Sequence, residues 1–369
     1  MTPPQWLEHM RTSVGANQKF SVSKDALEHF LSRIPAESRE ASRAVWMSRY
    51  DKTIGQIQDE QLQGYLRSIL PLLREDEAAV AEKTFIGIFP THEFDAYVGE
   101  TPRGDRVILL HEGLPRTFAH WAHWFTRAII DEGGNLHYLD ADRKKHRAAV
   151  LHMLSVWLGN RWVTDLPDIH PTSDDGWGLS ESLALSAITF AIGHELGHVL
   201  RGHSDYTNDQ HSNHEMEFQA DEVGFGIALR QSVLKSAAFK GDNYYTQFML
   251  FGPLLAIATL SLFGDTDSPT HPSASRRQER LLQQYIPQLR SLFARAKRTA
   301  PSFDELIQEL NSDLEGTFAR NCDQLMSVFR GYRQALAEVF DEGLLTDNTL
   351  LIRGFRRVDR LVPGKMRLR

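Results

Sequence analysis

The stretch Leu179-Ser-Glu-Ser-Leu-Ala-Leu-Ser-Ala-Ile-Thr-Phe190-Ala-Ile-Gly-His194-Glu195-Leu-Gly-His198-Val-Leu-Arg201 decides how this chain is read. Its apolar residues follow a helical pattern, and Ser180 stands where an N-cap is expected. Positions i and i+4 share one face of a helix, so His194 and His198 can offer two imidazole nitrogens to one metal ion. Glu195 lies about 100° around the helix from His194, where it reaches a metal-bound water without being a ligand. This is the H-E-x-x-H arrangement of zinc hydrolysis, in which the metal brings its water to a pKa of about 7 and the carboxylate takes the proton.

A tetrahedral catalytic zinc needs a third protein ligand and an open position. Glu217, nineteen residues after His198, supplies one. Ser212 and Glu215 form an S-x-x-E capping box that is expected to start a second helix, on which Glu217 and Asp221 share a face. Glu217 then binds zinc while Asp221 accepts the spare N–H of a ligand histidine and fixes its tautomer. A longer H-E-x-x-H-x-x-G-x-x-H pattern fails on register, because Arg201 and Ser204 stand where it requires glycine and histidine. His203, His211 and His214 are therefore read as ordinary structural histidines. His120 and His123, beside Trp121 and Trp124, are read as packing, and His146 and His152 receive no role.

Outward from this segment the texture changes twice. Residues 22–80 repeat apolar positions at helical spacing, for example Leu27, Phe30, Leu31 and Ile34. Between 84 and 113 the short apolar runs Phe85–Phe89 and Arg106–Leu110, separated by Thr101-Pro-Arg-Gly-Asp105, predict a small antiparallel sheet. Helical patterns return at 118–130 and 144–157 and continue after Leu179; Ser302 with Glu305 opens another helix by a capping box. The apolar window Thr246–Phe263, broken by Gln247, Gly252 and Pro253, is read as a buried helix rather than a membrane span. The expected organisation is a helical region over 1–83, a core over 84–285, and a helical region over 286–369 with a basic tail.

Composition removes several function classes. Forty-one Lys+Arg against 48 Asp+Glu give a net charge of −7, which lacks the positive excess that general nucleic-acid binding requires. The single cysteine, Cys322, excludes an internal disulfide and thiolate metal sites, and fits a reducing compartment. The N-terminal MTPPQWLEHM has no secretory pattern, so a cytoplasmic protein without a membrane partner is expected. The tail 353–369 carries seven Lys/Arg and one Asp, a solvated run that an acidic partner would fit.

At these residues the chain resembles the gluzincin-type zinc metallopeptidases of the HtpX and CAAX-prenyl-protease family. The resemblance rests on HELGH at 194–198, the E-x-x-A-D of Glu217, Ala220 and Asp221, and Thr270-His271-Pro272-Ser273 followed by Arg276 or Arg277. Upstream, Phe94-Asp-Ala-Tyr97 and the strand from Arg106 to Leu114 are similar to the turn and strand that precede the family's active helix. These segments, 85–115 and 180–285, cover about half of the chain.

The resemblance implies an α+β, mainly α-helical, zincin-like fold and one zinc ion held by His194, His198 and Glu217. It also implies Glu195 as general base and a protein or peptide substrate added as a strand along 106–111. His271 and Arg276 would lie close to the cleft, as oxyanion stabilisers or regulators of access. Family members of the HtpX type are membrane-embedded, a feature not expected here. A soluble member resembles, in organisation, the regulatory and phage-exclusion metallopeptidases. The alternative expectation is an inactive zinc-containing helical protein that serves as a partner-binding platform, which the intact Glu195 argues against.

Overall fold

The computed structural model describes residues 1–129, 147, 150, 174–283 and most of 327–338, apart from 17, 22, 33–35, 51, 91–93, 204–205, 239–242 and 264. The expected Ser302–Glu305 capping box, His146, His152, Cys322 and the basic tail lie outside the described residues. The elements run α1 (Pro3–Ser13), α2 (Lys24–Ser32), α3 (Arg39–Met47), α4 (Ile54–Ile69) and α5 (Glu75–Ala81). After them come β1 (Phe85–Phe89), β2 (Ala96–Glu100), β3 (Arg106–His111) and α6 (Gly113–Ile129). The remaining helices are α7 (Asp174–Arg201), α8 (Gln210–Ala238), α9 (Asn243–Leu260) and α10 over 274–283. The fold is α+β and mainly helical, as its periodicity predicts.

Local chemistry explains where the helices begin. At α4, Thr53 Oγ1 accepts from the Gln56 N–H at 3.2 Å while Gln56 Oε1 accepts from the Thr53 N–H at 3.0 Å, a reciprocal cap. Helix α7 starts at Asp174, six residues before Ser180, so Ser180 is a fully buried residue inside the helix and not its cap.

Helix α7 is apolar on every side and accordingly central. Its Leu183, Ala187, Phe190, Ile192 and Leu196 are buried, and it packs against α6, α8, α9 and the sheet. Among the described residues, Gly178–Arg201 is the one helix long and apolar enough to cross a membrane, and 72% of that window is buried inside the protein. Helix α9 tolerates Pro253, and Leu254–Ala258 behind it are buried, in line with the buried-helix reading.

The sheet is mixed, which corrects the antiparallel expectation. Its order is β1-β3-β2, with β1 parallel and β2 antiparallel to β3. A tight turn at 101–105, with Gly104 at φ +82°, makes the β2–β3 hairpin, and β1 joins the other side of β3. The uninterrupted buried run Val107–Leu110 is the pattern of a central strand covered on both faces. Ile86, Ile88, Ile108 and Leu110 face the main core with α7, while Phe89, Val107 and Leu109 meet Trp6 and Leu7 of α1. Because β3 is paired on both sides, a substrate strand cannot add along 106–111 as expected.

The two outer edges of this sheet differ. At β1, the Ile88 N–H donates to Asp59 Oδ1 at 2.9 Å, Arg11 Nε donates to Ile88 O at 3.1 Å, and Gln63 Nε2 donates to Ile86 O at 3.0 Å. Side chains of α1 and α4 thus close that edge. At β2, the bonds from His111 N to Asp95 O and from Thr101 N to Asp105 O mark odd-numbered residues as facing β3. The backbone groups of Val98 and Glu100 therefore point outward, and among the described residues no hydrogen bond reaches them.

Candidate metal centre

Glycine sets the approach of the two helices that build the centre. A Cβ on Gly197 would lie 2.8 Å from Ala220 Cα, and one on Gly193 would lie 2.7 Å from Gly224 Cα. Only hydrogen at these positions lets α7 and α8 come together, and that closeness brings Glu217 and Asp221 up to His194 and His198. Glu217, Ala220, Asp221 and Gly224 follow the i, i+3, i+4, i+7 spacing of one helix face.

The connecting loop is built by caps. Gly202, at φ +63°, ends α7. Helix α8 begins earlier than the Ser212–Glu215 box predicts: Asp209 Oδ1 accepts from the His211 N–H at 3.1 Å, so Asp209 caps the helix and Ser212 lies inside it. Asn213 Nδ2 then donates to Thr207 O at 2.8 Å and to Pro269 O at 3.0 Å, tying this loop to the 265–273 segment.

The predicted ligands meet. His194 Nε2 and His198 Nε2 are 3.2 Å apart, His198 Nε2 is 3.4 Å from Glu217 Oε1, and His194 Nε2 is 3.5 Å from Glu217 Oε2. Metal–ligand bonds of about 2.0–2.2 Å at tetrahedral angles give ligand–ligand edges of about 3.3–3.6 Å, and these separations, which end on the two different oxygens of Glu217, lie close to what a zinc ion needs. Glu217 Oε2 is buried and receives no hydrogen bond, which is the condition expected of an oxygen reserved for a cation. His194, His198 and Glu217 are the described residues whose donor atoms converge in this way.

Around the triangle the charges are ordered. His194 Nδ1 bonds Asp221 Oδ1 at 2.9 Å, which leaves Nε2 facing the triangle. Burial opposes charge on His194, but Asp221 and Glu217 outweigh it and raise the imidazole to about 10. Burial also works against the Glu217 carboxylate, yet the His271, His194 and His198 imidazoles that face it hold it well below the ordinary range. Glu195 is buried, and desolvation pushes its carboxyl upward against the pull of His194 and His198.

His271 reaches the centre, with Nε2 3.6 Å from Glu217 Oε1. Arg276 does not: it pairs with Asp267, lies 3.3 Å from His214 Nδ1, and its guanidinium sits over the Phe218 ring. The arginine at the centre is Arg277, fully buried, whose Nε donates to Asp221 Oδ2 at 2.8 Å and whose Nη1 lies 3.8 Å from Glu217 Oε2. The signal for it was in the pattern, since Ala274, Arg277, Gln278 and Leu281 form the buried stripe of α10. His120 packs edge-on to Trp121 at 4.9 Å, and Trp121 stacks on Tyr332 at 4.6 Å, away from this chemistry.

Two contributors were missed by the sequence reading. Tyr206 donates its hydroxyl to Glu217 Oε1 at 2.5 Å and lies 3.2 Å from His271 Nε2. His203 lies 2.9 Å from His198, between their Nδ1 atoms, and its Nε2 lies 3.2 Å from Gln219 Oε1. Both belong to the loop after α7, where helical periodicity gives no guide.

The helices that carry this centre have a relative. The model of the Peptidase U49 family matches residues 140–296. The matched stretch is about two fifths of the chain, contains α7 to α10 and every side chain of the triangle, and leaves out the sheet. It supports a proteolytic function. No curated protein and no solved structure matches this chain.

Proposed function

We propose that this chain is a zinc-dependent endopeptidase acting on a protein substrate. The observation that carries the reading is the triangle of His194, His198 and Glu217, with edges of 3.2–3.5 Å and an unbonded Glu217 oxygen, beside a buried glutamate. Zinc held there by His194, His198 and Glu217 would supply a Lewis acid for the scissile carbonyl and would lower the pKa of the attacking water. Glu195 removes a proton from that water as its oxygen bonds the carbonyl carbon, and returns the proton to the amine nitrogen as the C–N bond breaks. Tyr206 and His271, together at the mouth of the centre, are placed to donate to the oxygen that gains charge. Arg277 acts through Asp221 and has no direct part in bond breaking.

The open outer edge of β2 is the surface on which an extended substrate is proposed to pair, with Val98 offering both its N–H and its C=O. Helix α7 packs beside β2. The HELGH and E-x-x-A-D spacing supports a gluzincin of the HtpX-like kind with its peptidase core over 84–285, and the lone Cys322 is compatible with a cytoplasmic, regulatory or phage-defence enzyme.

The test is Glu195→Gln, assayed with a fluorescence-quenched peptide library beside elemental analysis. About one zinc per chain is expected in both proteins, with cleavage reduced about 100- to 10,000-fold in the variant. An active variant, or a folded wild type that takes up no zinc, would overturn the proposal and favour the inactive platform.

A further inference from the structure

We infer that His203 is a positioning residue that holds His198 in the Nδ1–H tautomer, leaving the Nε2 lone pair of His198 aimed at Glu217 and His194. The reasoning begins at Gly202. Its N–H bonds Val199 O at 3.2 Å and the His203 N–H bonds His198 O at 3.0 Å, the paired bonds of a Schellman turn. With Gly202 at φ +63°, the chain folds back over the last turn of α7 and sets the His203 ring against the His198 ring, 5.0 Å between centroids. A helix continuing to 203 would carry that side chain about 500° onward from His198, off its face.

With the Gln219 amide oxygen turned toward His203, the hydrogen bonds run in one direction. Gln219 Oε1 is an acceptor, so the His203 nitrogen 3.2 Å from it, Nε2, carries the hydrogen. A neutral His203 protonated at Nε2 has a bare Nδ1, which accepts from His198 Nδ1 across 2.9 Å. His198 Nε2 is then left bare, 3.2 Å from His194 Nε2 and 3.4 Å from Glu217 Oε1. The relay Gln219–His203–His198 thus does for the second histidine what Asp221 does for the first, with a neutral chain in place of a carboxylate. Its consequence for metal rests on the proposed function, whereas the tautomer does not.

The experiment uses the full chain. In metal-free protein carrying 15N-histidine, with His198 signals assigned from a His198→Phe spectrum, nitrogen NMR should show His198 protonated at Nδ1 and bare at Nε2. A hydrogen on Nε2 overturns the inference. Zinc affinity, read by competition with a chromophoric chelator, should fall about 10- to 100-fold in His203→Phe and stay within about threefold in Gln219→Glu, which keeps the acceptor. Gln219→Leu leaves the loop histidine in place and should also weaken zinc, which covers a His203 variant that fails to fold. His211→Phe, on an exposed residue, is the unchanged control. Unaltered zinc affinity in both His203→Phe and Gln219→Leu overturns the inference. A wild type that takes up no zinc yet shows the Nδ1–H form supports the inference and sinks the proposed function instead.

Discussion

Arg11 with Asp59, and Arg277 with Asp221, are two buried arginine–aspartate pairs of nearly the same local chemistry. In the first, both Asp59 oxygens are bonded by Arg11, other bonds of the pair end on the backbone of β1, and Arg11 Nη1 lies 3.6 Å from Glu8 Oε2. Among the described residues no imidazole joins this pair, and it closes a sheet edge. In the second, Asp221 divides itself between Arg277 and His194, and Glu217 one helical turn away keeps an oxygen without a hydrogen bond. A buried ion pair is an element of architecture when its bonds end on groups that become fully satisfied. It supports a binding centre when one of its bonds ends on an imidazole whose other nitrogen faces further donor atoms, as His194 does.

The comparison can be broken most directly by removing each carboxylate. Asp59→Ala and Asp221→Ala should each lower the stability of the metal-free protein by about 3–5 kcal/mol in chemical denaturation, because each strands a buried guanidinium. Only Asp221→Ala should also weaken zinc, by about 10- to 100-fold in chelator competition. Equal effects of the two on zinc would erase the distinction. A smaller effect sharpens the role of helix approach: Gly197→Val, pressed against Ala220 Cα, should cost about 1–3 kcal/mol and reduce zinc uptake, as measured by thermal unfolding and elemental analysis. The smallest separates the two proposed starts of α8. Asp209→Ala should cost about 1 kcal/mol, while Ser212→Ala stays within about 0.5 kcal/mol.

The legible part of the centre lay on helices. His194, Glu195, His198, Glu217 and Asp221 were found from 3.6-residue spacing, because two faces that must meet carry their chemistry at fixed intervals. The choice between Arg276 and Arg277 was open to the same reasoning, through the buried stripe of α10. The capping residues were less legible, since Ser180 and Ser212 have the right chemistry for caps yet stand inside longer helices. Cap geometry depends on where the chain turns, which neighbouring packing decides.

Tyr206 and His203 were not legible, because a loop has no repeat from which a direction can be read. His203 was set aside on register, which is correct for a helix, but Gly202 at positive φ reverses the chain just before it. The order of the sheet was hidden for a related reason. Short apolar runs at 85–89 and 106–110 announce strands, and nothing in them says which one lies in the middle.

Residue types and their helical spacing, which are local properties, carried the mainly helical class and the convergence of His194, His198 and Glu217. Which sheet edge is closed and which arginine reaches Asp221 were decided by tertiary contact. The reason is physical: those outcomes depend on where backbone hydrogen bonds and buried charges find partners, and the partners come from segments distant in the chain.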